Sequence, residues 1–120
     1  MEGITGRRVF VVEEEALLRM LLTEMLNELG CEAASETGNL AQAMRLARDA
    51  DFDVALLDVM VSGALVYPVA DIVRGRGLPV VLATGLEAGS LPEQYRNCPF
   101  LKKPYDAQDV ARALAAALNG

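Results

Sequence analysis

Four short apolar runs in this chain each end on residues that can do chemistry. Phe52-Asp53-Val54-Ala55-Leu56-Leu57 ends at Asp58, and Val9-Phe10-Val11-Val12 ends at Glu13, Glu14 and Glu15. Val80-Val81-Leu82-Ala83 ends at Thr84-Gly85, and Phe100-Leu101 ends at Lys102-Lys103-Pro104. Short apolar runs bounded by turn signals read as strands buried on both faces, as in a parallel sheet. Sites in open α/β sheets form outside the carboxyl ends of the strands. The four ends would therefore gather carboxylates, a hydroxyl and an ammonium in one place, a set that suits a magnesium ion and a phosphoryl group. Each residue alone has an ordinary explanation. Glu13 to Glu15 could be the charged first turn of a helix, Asp58 a cap or turn residue, Thr84-Gly85 a turn and Lys103 a solvated lysine. Their coincidence at one sheet edge is what favours a site.

Composition narrows the options. A chain of 120 residues is the size of one domain, and with 52% apolar residues it can bury one sizeable core. No apolar run approaches the roughly 18 residues of a membrane span, and no charged segment leads into an apolar one as in a secretory signal. A net charge of −6 argues against direct binding of nucleic acid, which needs a basic face. Without an export signal, Cys31 and Cys98 read as free thiols and the protein as cytoplasmic. The absence of histidine excludes a Ser-His-Asp triad and a histidine-liganded zinc site.

These residues need a scaffold. Residues 1–6 carry little pattern and are expected to be a loose lead-in, so the domain spans 1–120. After the first strand, Val9 to Val12, a helix is predicted from Glu15 to Leu29. Leu18, Leu21, Leu22, Met25, Leu26 and Leu29 follow the spacing of its inner face, and Leu17 and Met20 extend the apolar face, as a broad stripe or as a partner-docking surface. Gly30 suits a left-handed helix end. A second strand is expected from Cys31 to Ala34. A second helix, capped by Asn39 and running to Arg48, follows, with Leu40, Ala43, Met44 and Ala47 inward. The third strand covers Asp53 to Leu57 and a third helix about Tyr67 to Arg74. A fourth strand opens at Pro79. Gly85 to Asn97, with Gly85, Gly89 and Pro92, allows only a short helix near Pro92–Arg96 and should be the most mobile stretch. A fifth strand, Cys98 to Leu101, precedes a last helix capped by Asp106, with Val110, Ala113, Leu114, Ala117 and Leu118 inward. Strands alternating with helices imply a single α/β domain, a (βα)5 parallel sheet covered on both faces.

The pattern from Arg8 to about Leu118 resembles the receiver domain of two-component response regulators. That family has an acidic pair after the first strand, an aspartate after the third, Thr or Ser after the fourth and Lys-Pro after the fifth. Here these are Glu13-Glu14, Asp58, Thr84 and Lys103-Pro104. Leu82-Ala83-Thr84-Gly85, with Leu91-Pro92-Glu93-Gln94-Tyr95-Arg96 after it, resembles the subgroup with a Phe-Ala-Thr-Gly motif, Leu82 replacing its phenylalanine. Two further departures stand out. Glu14 occupies a position where Asp is usual, and the stretch from Thr84 to Lys103 is short.

The resemblance implies a flavodoxin-like, doubly wound sheet of order 2-1-3-4-5. It implies that Asp58 accepts a phosphoryl group from a histidine on a partner, a sensor histidine kinase or a histidine phosphotransfer protein. Mg2+ would be held by Asp58, Glu14, Glu13 and the backbone carbonyl of Met60. Lys103 and the Thr84 hydroxyl would contact phosphoryl oxygens. Thr84 and Phe100 would form the switch toward an unidentified downstream protein, and self-association into a homodimer is left open. Any catalysis would be limited to transfer onto Asp58 and its own dephosphorylation. The competing reading is a pseudo-receiver, a phosphorylation-independent binding module in which the longer Glu14 crowds the metal. A haloacid-dehalogenase-type enzyme would need a second Asp two residues after Asp58, where Met60 stands. A dinucleotide site lacks its glycine fingerprint after the first strand.

Overall fold

The structure, a computed structural model, describes residues 3–119, with Ala88 described by its backbone. Five strands form one parallel sheet: β1 (Arg8–Val12), β2 (Glu32–Thr37), β3 (Val54–Asp58), β6 (Val80–Thr84) and β7 (Phe100–Lys102), in the order β2-β1-β3-β6-β7. With the strands counted in chain order, this is the 2-1-3-4-5 arrangement. Four α-helices cover it among the described residues: α1 (Ala16–Glu28), α2 (Leu40–Asp49), α3 (Tyr67–Gly75) and α4 (Ala107–Asn119).

The sheet divides the core in two because successive strand residues point to opposite faces. Phe10, Val12, Ala55, Leu57 and Leu82 face α2 and α3, meeting Ala43, Ala47, Val69 and Val73. Val9, Val11, Val54, Leu56, Val81 and Ala83 face α1 and α4, meeting Leu22, Leu26, Val110 and Leu114. Every residue of β3 and β6 is buried, so their runs are apolar without alternation. Each fully buried Val or Leu contributes about 1.5–3 kcal/mol relative to exposure, which fixes the strand ends that carry the site.

Local signals set the helix ends. Gly30 has φ 80°, and the bonds Gly30 N–H to Asn27 O (3.1 Å) and Cys31 N–H to Leu26 O (2.8 Å) close α1 with a glycine-terminated turn. The Asn39 side chain accepts from Gln42 N at 2.8 Å and caps α2. Asp106 and Asp109 cap α4 reciprocally, each carboxylate accepting from the other's backbone N–H at 2.8 and 2.9 Å.

Several expectations are corrected. Residues 3–6 are not loose: Ile4 is fully buried and Gly6 N–H donates to Gly30 O at 2.7 Å, while residues 1–2 lie outside the described residues. β2 runs to Thr37 rather than ending at Ala34, and β7 begins at Phe100 rather than Cys98. The fourth helix of a full (βα)5 repeat is replaced by two 3-10 turns, Ala88–Ser90 and Glu93–Tyr95, because Gly85, Gly89 and Pro92 leave no run of helix formers. An antiparallel hairpin, β4 (Met60–Val61) with β5 (Ala64–Leu65), follows β3 and was not anticipated. Ser62 (φ 52°) and Gly63 (φ 77°) form its turn, both in the left-handed region that tight two-residue hairpins favour. The α1 stripe is narrower than its periodicity implied. Only Leu22 and Leu26 are buried in that helix, and Leu17, Leu18, Met20 and Leu21 are exposed.

Candidate functional site

The carboxyl edge of the sheet brings Asp58, Glu13 and Lys103 into direct contact. Asp58 is the last residue of β3, Glu13 follows β1 and Lys103 follows β7. Lys103 Nζ stands 2.9 Å from Asp58 Oδ1 and 2.9 Å from Glu13 Oε1. Asp58 is 4% and Glu13 2% exposed, so the ammonium links two carboxylates that water barely reaches. Glu13 also accepts from the Glu15 backbone N–H at 3.0 Å and shares a hydrogen bond with Asp58.

Two buried carboxyls against one ammonium cannot both be comfortably ionised. Burial, and then the hydrogen bond and charge of Glu13, push Asp58 up to about 7, with Lys103 only partly offsetting this. Burial also works against the charge of Glu13, but the hydrogen bonds from Asp58, Glu15 N–H and Lys103 hold it below its ordinary value. Below neutrality the pair therefore favours holding one proton, chiefly on Asp58. Burial disfavours the charge on Lys103 too, yet its two carboxylate partners raise it.

Thr84 ends β6 beside this group. Its hydroxyl accepts from Leu86 N–H at 3.2 Å, and its carbonyl accepts from Lys103 N–H at 2.9 Å, which ties the β6 and β7 ends together. Phe100 lies opposite Leu82 on β7 and packs half-buried against the core on the α2–α3 side. Met60 opens β4 with an exposed side chain. Glu14 is not gathered with Asp58: its exposed carboxylate accepts from the backbone N–H of Ser62 in the hairpin turn. Among the described residues, no three His, Cys, Asp or Glu side chains form a ready-made metal cluster.

Three contributors were missed from the sequence. Ser62 holds Glu14, and Arg19 contacts the backbone of the acidic pair. Tyr105, pushed up to about 12 by burial and then by the Asp58 charge, forms part of an apolar recess of about 430 Å3 beside Lys103 with Leu18, Leu21, Leu22 and Met25. Only Tyr105, directly after the Lys-Pro pair, stood near a signal the sequence offered.

A doubly wound sheet with a buried aspartate, a second carboxylate and a lysine at its carboxyl edge defines a class. The family model described as the response regulator receiver domain matches residues 9–115, and the chain belongs to that family. The transcriptional regulatory protein PdtaR of Mycobacterium tuberculosis is 33% identical over 122 residues, covering 98% of this chain and 60% of PdtaR. The chain therefore spans about 60% of the length of that curated relative. The solution structure of SdrG from Sphingomonas melonis Fr1 is 34% identical with a TM-score of 0.82, covering 98% of this chain and 99% of SdrG. The BeF3-activated conformation of SdrG from Pseudomonas melonis Fr1 gives a TM-score of 0.80 at 34% identity, with the same 98% and 99% coverage.

Proposed function

We propose that this domain accepts a phosphoryl group on Asp58 from a phosphohistidine of a sensor histidine kinase or phosphotransfer protein, and that the modification switches a protein-binding surface. The observation that carries this reading is the buried Asp58–Lys103–Glu13 group. In the transfer, an Asp58 carboxylate oxygen bonds to phosphorus as the phosphorus–nitrogen bond to the donor imidazole breaks. The imidazole nitrogen keeps the electron pair and takes up a proton. Lys103 then exchanges a carboxylate contact for a phosphoryl oxygen as a fixed point charge. The Thr84 hydroxyl accepts from Leu86 without using its own proton, which it donates to another phosphoryl oxygen. That a relative of 34% identity has a BeF3-activated conformation supports the reading.

The donor set fits Mg2+. Once Asp58 gives up its proton, two buried carboxylates against a single ammonium carry uncompensated negative charge, and all the available ligand atoms are oxygens. Glu13, Asp58 and the Met60 carbonyl would hold the ion, with Glu14 reaching it by leaving Ser62. When bound, the ion would offset the repulsion between the incoming phosphoryl group and the carboxylates. One observation favours the pseudo-receiver reading instead, the engagement of Glu14 with the hairpin turn.

Intact-mass spectrometry after incubation with acetyl phosphate separates the two. A gain of one hydroxylamine-sensitive phosphoryl group with Mg2+, absent with a chelator, is the expected result. An unmodified protein under both conditions means a phosphorylation-independent module.

The switch gives a second expectation. Thr84 and Phe100 share one sheet face on adjacent strands, so a turn of the Thr84 hydroxyl toward the phosphoryl group opens space toward Phe100. Thr84→Ala should still be labelled at Asp58 but lose the phosphorylation-linked NMR shifts at Phe100 and in residues 85–97. Full shifts in the alanine variant would rule out the coupling.

A further inference from the structure

The loop carrying Glu13 and Glu14 lacks the support usual at a helix start. Glu15 stands at the N-cap of α1 and makes no side-chain capping bond. The backbone is held instead from the first turn of the helix and from the neighbouring strand. Arg19 Nη1 donates to Glu13 O at 2.7 Å and lies 3.5 Å from Glu14 O. Arg19 Nε lies 3.6 Å from Glu36 Oε1, and the Thr23 hydroxyl bridges Arg19 O (3.0 Å) and Glu36 Oε2 (3.1 Å). Glu13 N–H donates to Thr37 O at 3.0 Å, closing the loop against the end of β2.

Gly38, directly after β2, makes room for this arrangement. A Cβ there would meet Arg19 Nη1 at 2.6 Å, Glu14 O at 2.9 Å and Glu13 O at 3.0 Å. Gly38 is not among the residues with positive φ, so the demand is for space rather than for a left-handed backbone.

We propose that Arg19 is a positioning residue for the acidic pair, pinning the Glu13 and Glu14 carbonyls so that the two side chains leave the loop in fixed directions, and that Gly38 is required because the guanidinium and both carbonyls fill the place of its side chain. Pinning the carbonyls leaves the carboxylates as the loop's ligands for a cation. It sets Glu13 against Asp58 and keeps Glu14 beside the hairpin. The inference rests on the reading of this edge as a Mg2+-assisted phosphoacceptor site.

The test is a double-mutant cycle on the full chain with Arg19→Ala and Gly38→Ala, plus Arg19→Lys. Mg2+ affinity is followed by NMR titration, and the Glu15 amide, which donates to Glu13 Oε2, reports the Glu13 rotamer in metal-free protein. Residues that orient metal ligands change affinity by about 10- to 100-fold when removed, and a loss of about tenfold is expected for Arg19→Ala and for Gly38→Ala. The Glu15 amide should shift in both, Arg19→Lys should recover part of the affinity, and melting should remain cooperative. Because Gly38 acts largely through Arg19, adding Gly38→Ala to Arg19→Ala should cost less than it does alone. Unchanged Mg2+ affinity and an unmoved Glu15 amide in both single variants would overturn the proposal, as would strictly additive losses. If the unaltered protein binds no Mg2+, the phosphoacceptor reading fails separately. The clamp is then judged on amide exchange at Glu13–Glu15, where acceleration in Arg19→Ala supports it and no change overturns it.

Discussion

Replacing Asp58 with asparagine is expected to abolish uptake of a phosphoryl group and, with divalent cations chelated, to raise stability at neutral pH by about 2 kcal/mol. Both effects have one origin. The Asp58 carboxyl is raised from 3.8 to about 7 in the folded protein because burial and Glu13 oppose its charge more than Lys103 supports it. The folded protein therefore holds a proton that the unfolded chain releases. That contribution favours folding below about pH 4 and is lost as pH rises through about 7. Glu13, held below its ordinary 4.5, contributes in the opposite sense, and its part is lost only as pH falls below that range. Between the two, metal-free protein should lose stability from roughly pH 5 to pH 7 and level off above that, and the asparagine variant should not. A shift of this size corresponds to roughly 5–10 °C in melting temperature for a domain of this length. The gain stays below what the raised carboxyl alone implies because asparagine must bury an amide beside Glu13 and Lys103. Calorimetry across pH in chelator, beside mass spectrometry with acetyl phosphate and Mg2+, reads both arms. Labelling of the variant, or a melting temperature below that of the unaltered protein at neutral pH, would contradict the account.

How much of this was legible follows from the range of each interaction. Asp58, Glu13, Thr84 and Lys103 could be assembled from sequence because each ends or directly follows a strand built on an apolar run, and a parallel sheet aligns such ends. Gly30, Asn39 and Asp106 could be read as helix boundaries because a cap bonds only to residues within a turn of itself. The β4–β5 hairpin could not, since two-residue strands carry no hydrophobic period, and Ser62-Gly63 is a weak turn signal on its own. The extent of the α1 core face was overread for a different reason. Periodicity identifies residues that share a face, and neighbouring elements decide how much of that face is covered, here Leu22 and Leu26 but not Leu18 or Leu21. The acidic pair was readable as a pair but not in its division of labour. Glu13 turns inward because Glu15 N–H, Lys103 and Arg19 fix it, and those contacts join residues up to 90 positions apart.

The segment after Thr84 shows the same limit with the largest energetic consequence. Its composition marked Gly85 to Asn97 as the most mobile stretch, with only a short helix near Pro92–Arg96, yet Leu91 is 2% and Tyr95 0% exposed. Tyr95 stacks on Tyr67 with ring centroids 4.9 Å apart, and the Arg74 guanidinium lies 5.0 Å from its ring centroid. Its hydroxyl donates to the Asp71 carboxylate, and Arg74 also donates to Gln94 O at 2.8 Å. One aromatic side chain thus ties a segment with no α-helix of its own to α3, and mobility should be confined to residues 85–90. Tyr95→Ala is expected to cost about 3–5 kcal/mol, the usual range for emptying a large buried aromatic site, out of the roughly 5–15 kcal/mol that holds a domain together. Tyr95→Phe keeps the stack and loses one hydrogen bond to a partly solvated partner, so it should cost only about 1 kcal/mol. Urea unfolding measures both. At a temperature where the alanine variant remains folded, hydrogen exchange should accelerate over residues 91–98 and leave β6 protected. Asp58, held by β1, β3 and β7, should still take up a phosphoryl group, while the shifts that phosphorylation sends into residues 85–97 should collapse because nothing anchors the segment that carries them. If Tyr95→Ala costs less than about 1 kcal/mol, or exchange rises equally across the sheet, Tyr95 is not the anchor and the segment is held by Leu91 and the Arg74–Gln94 contact instead.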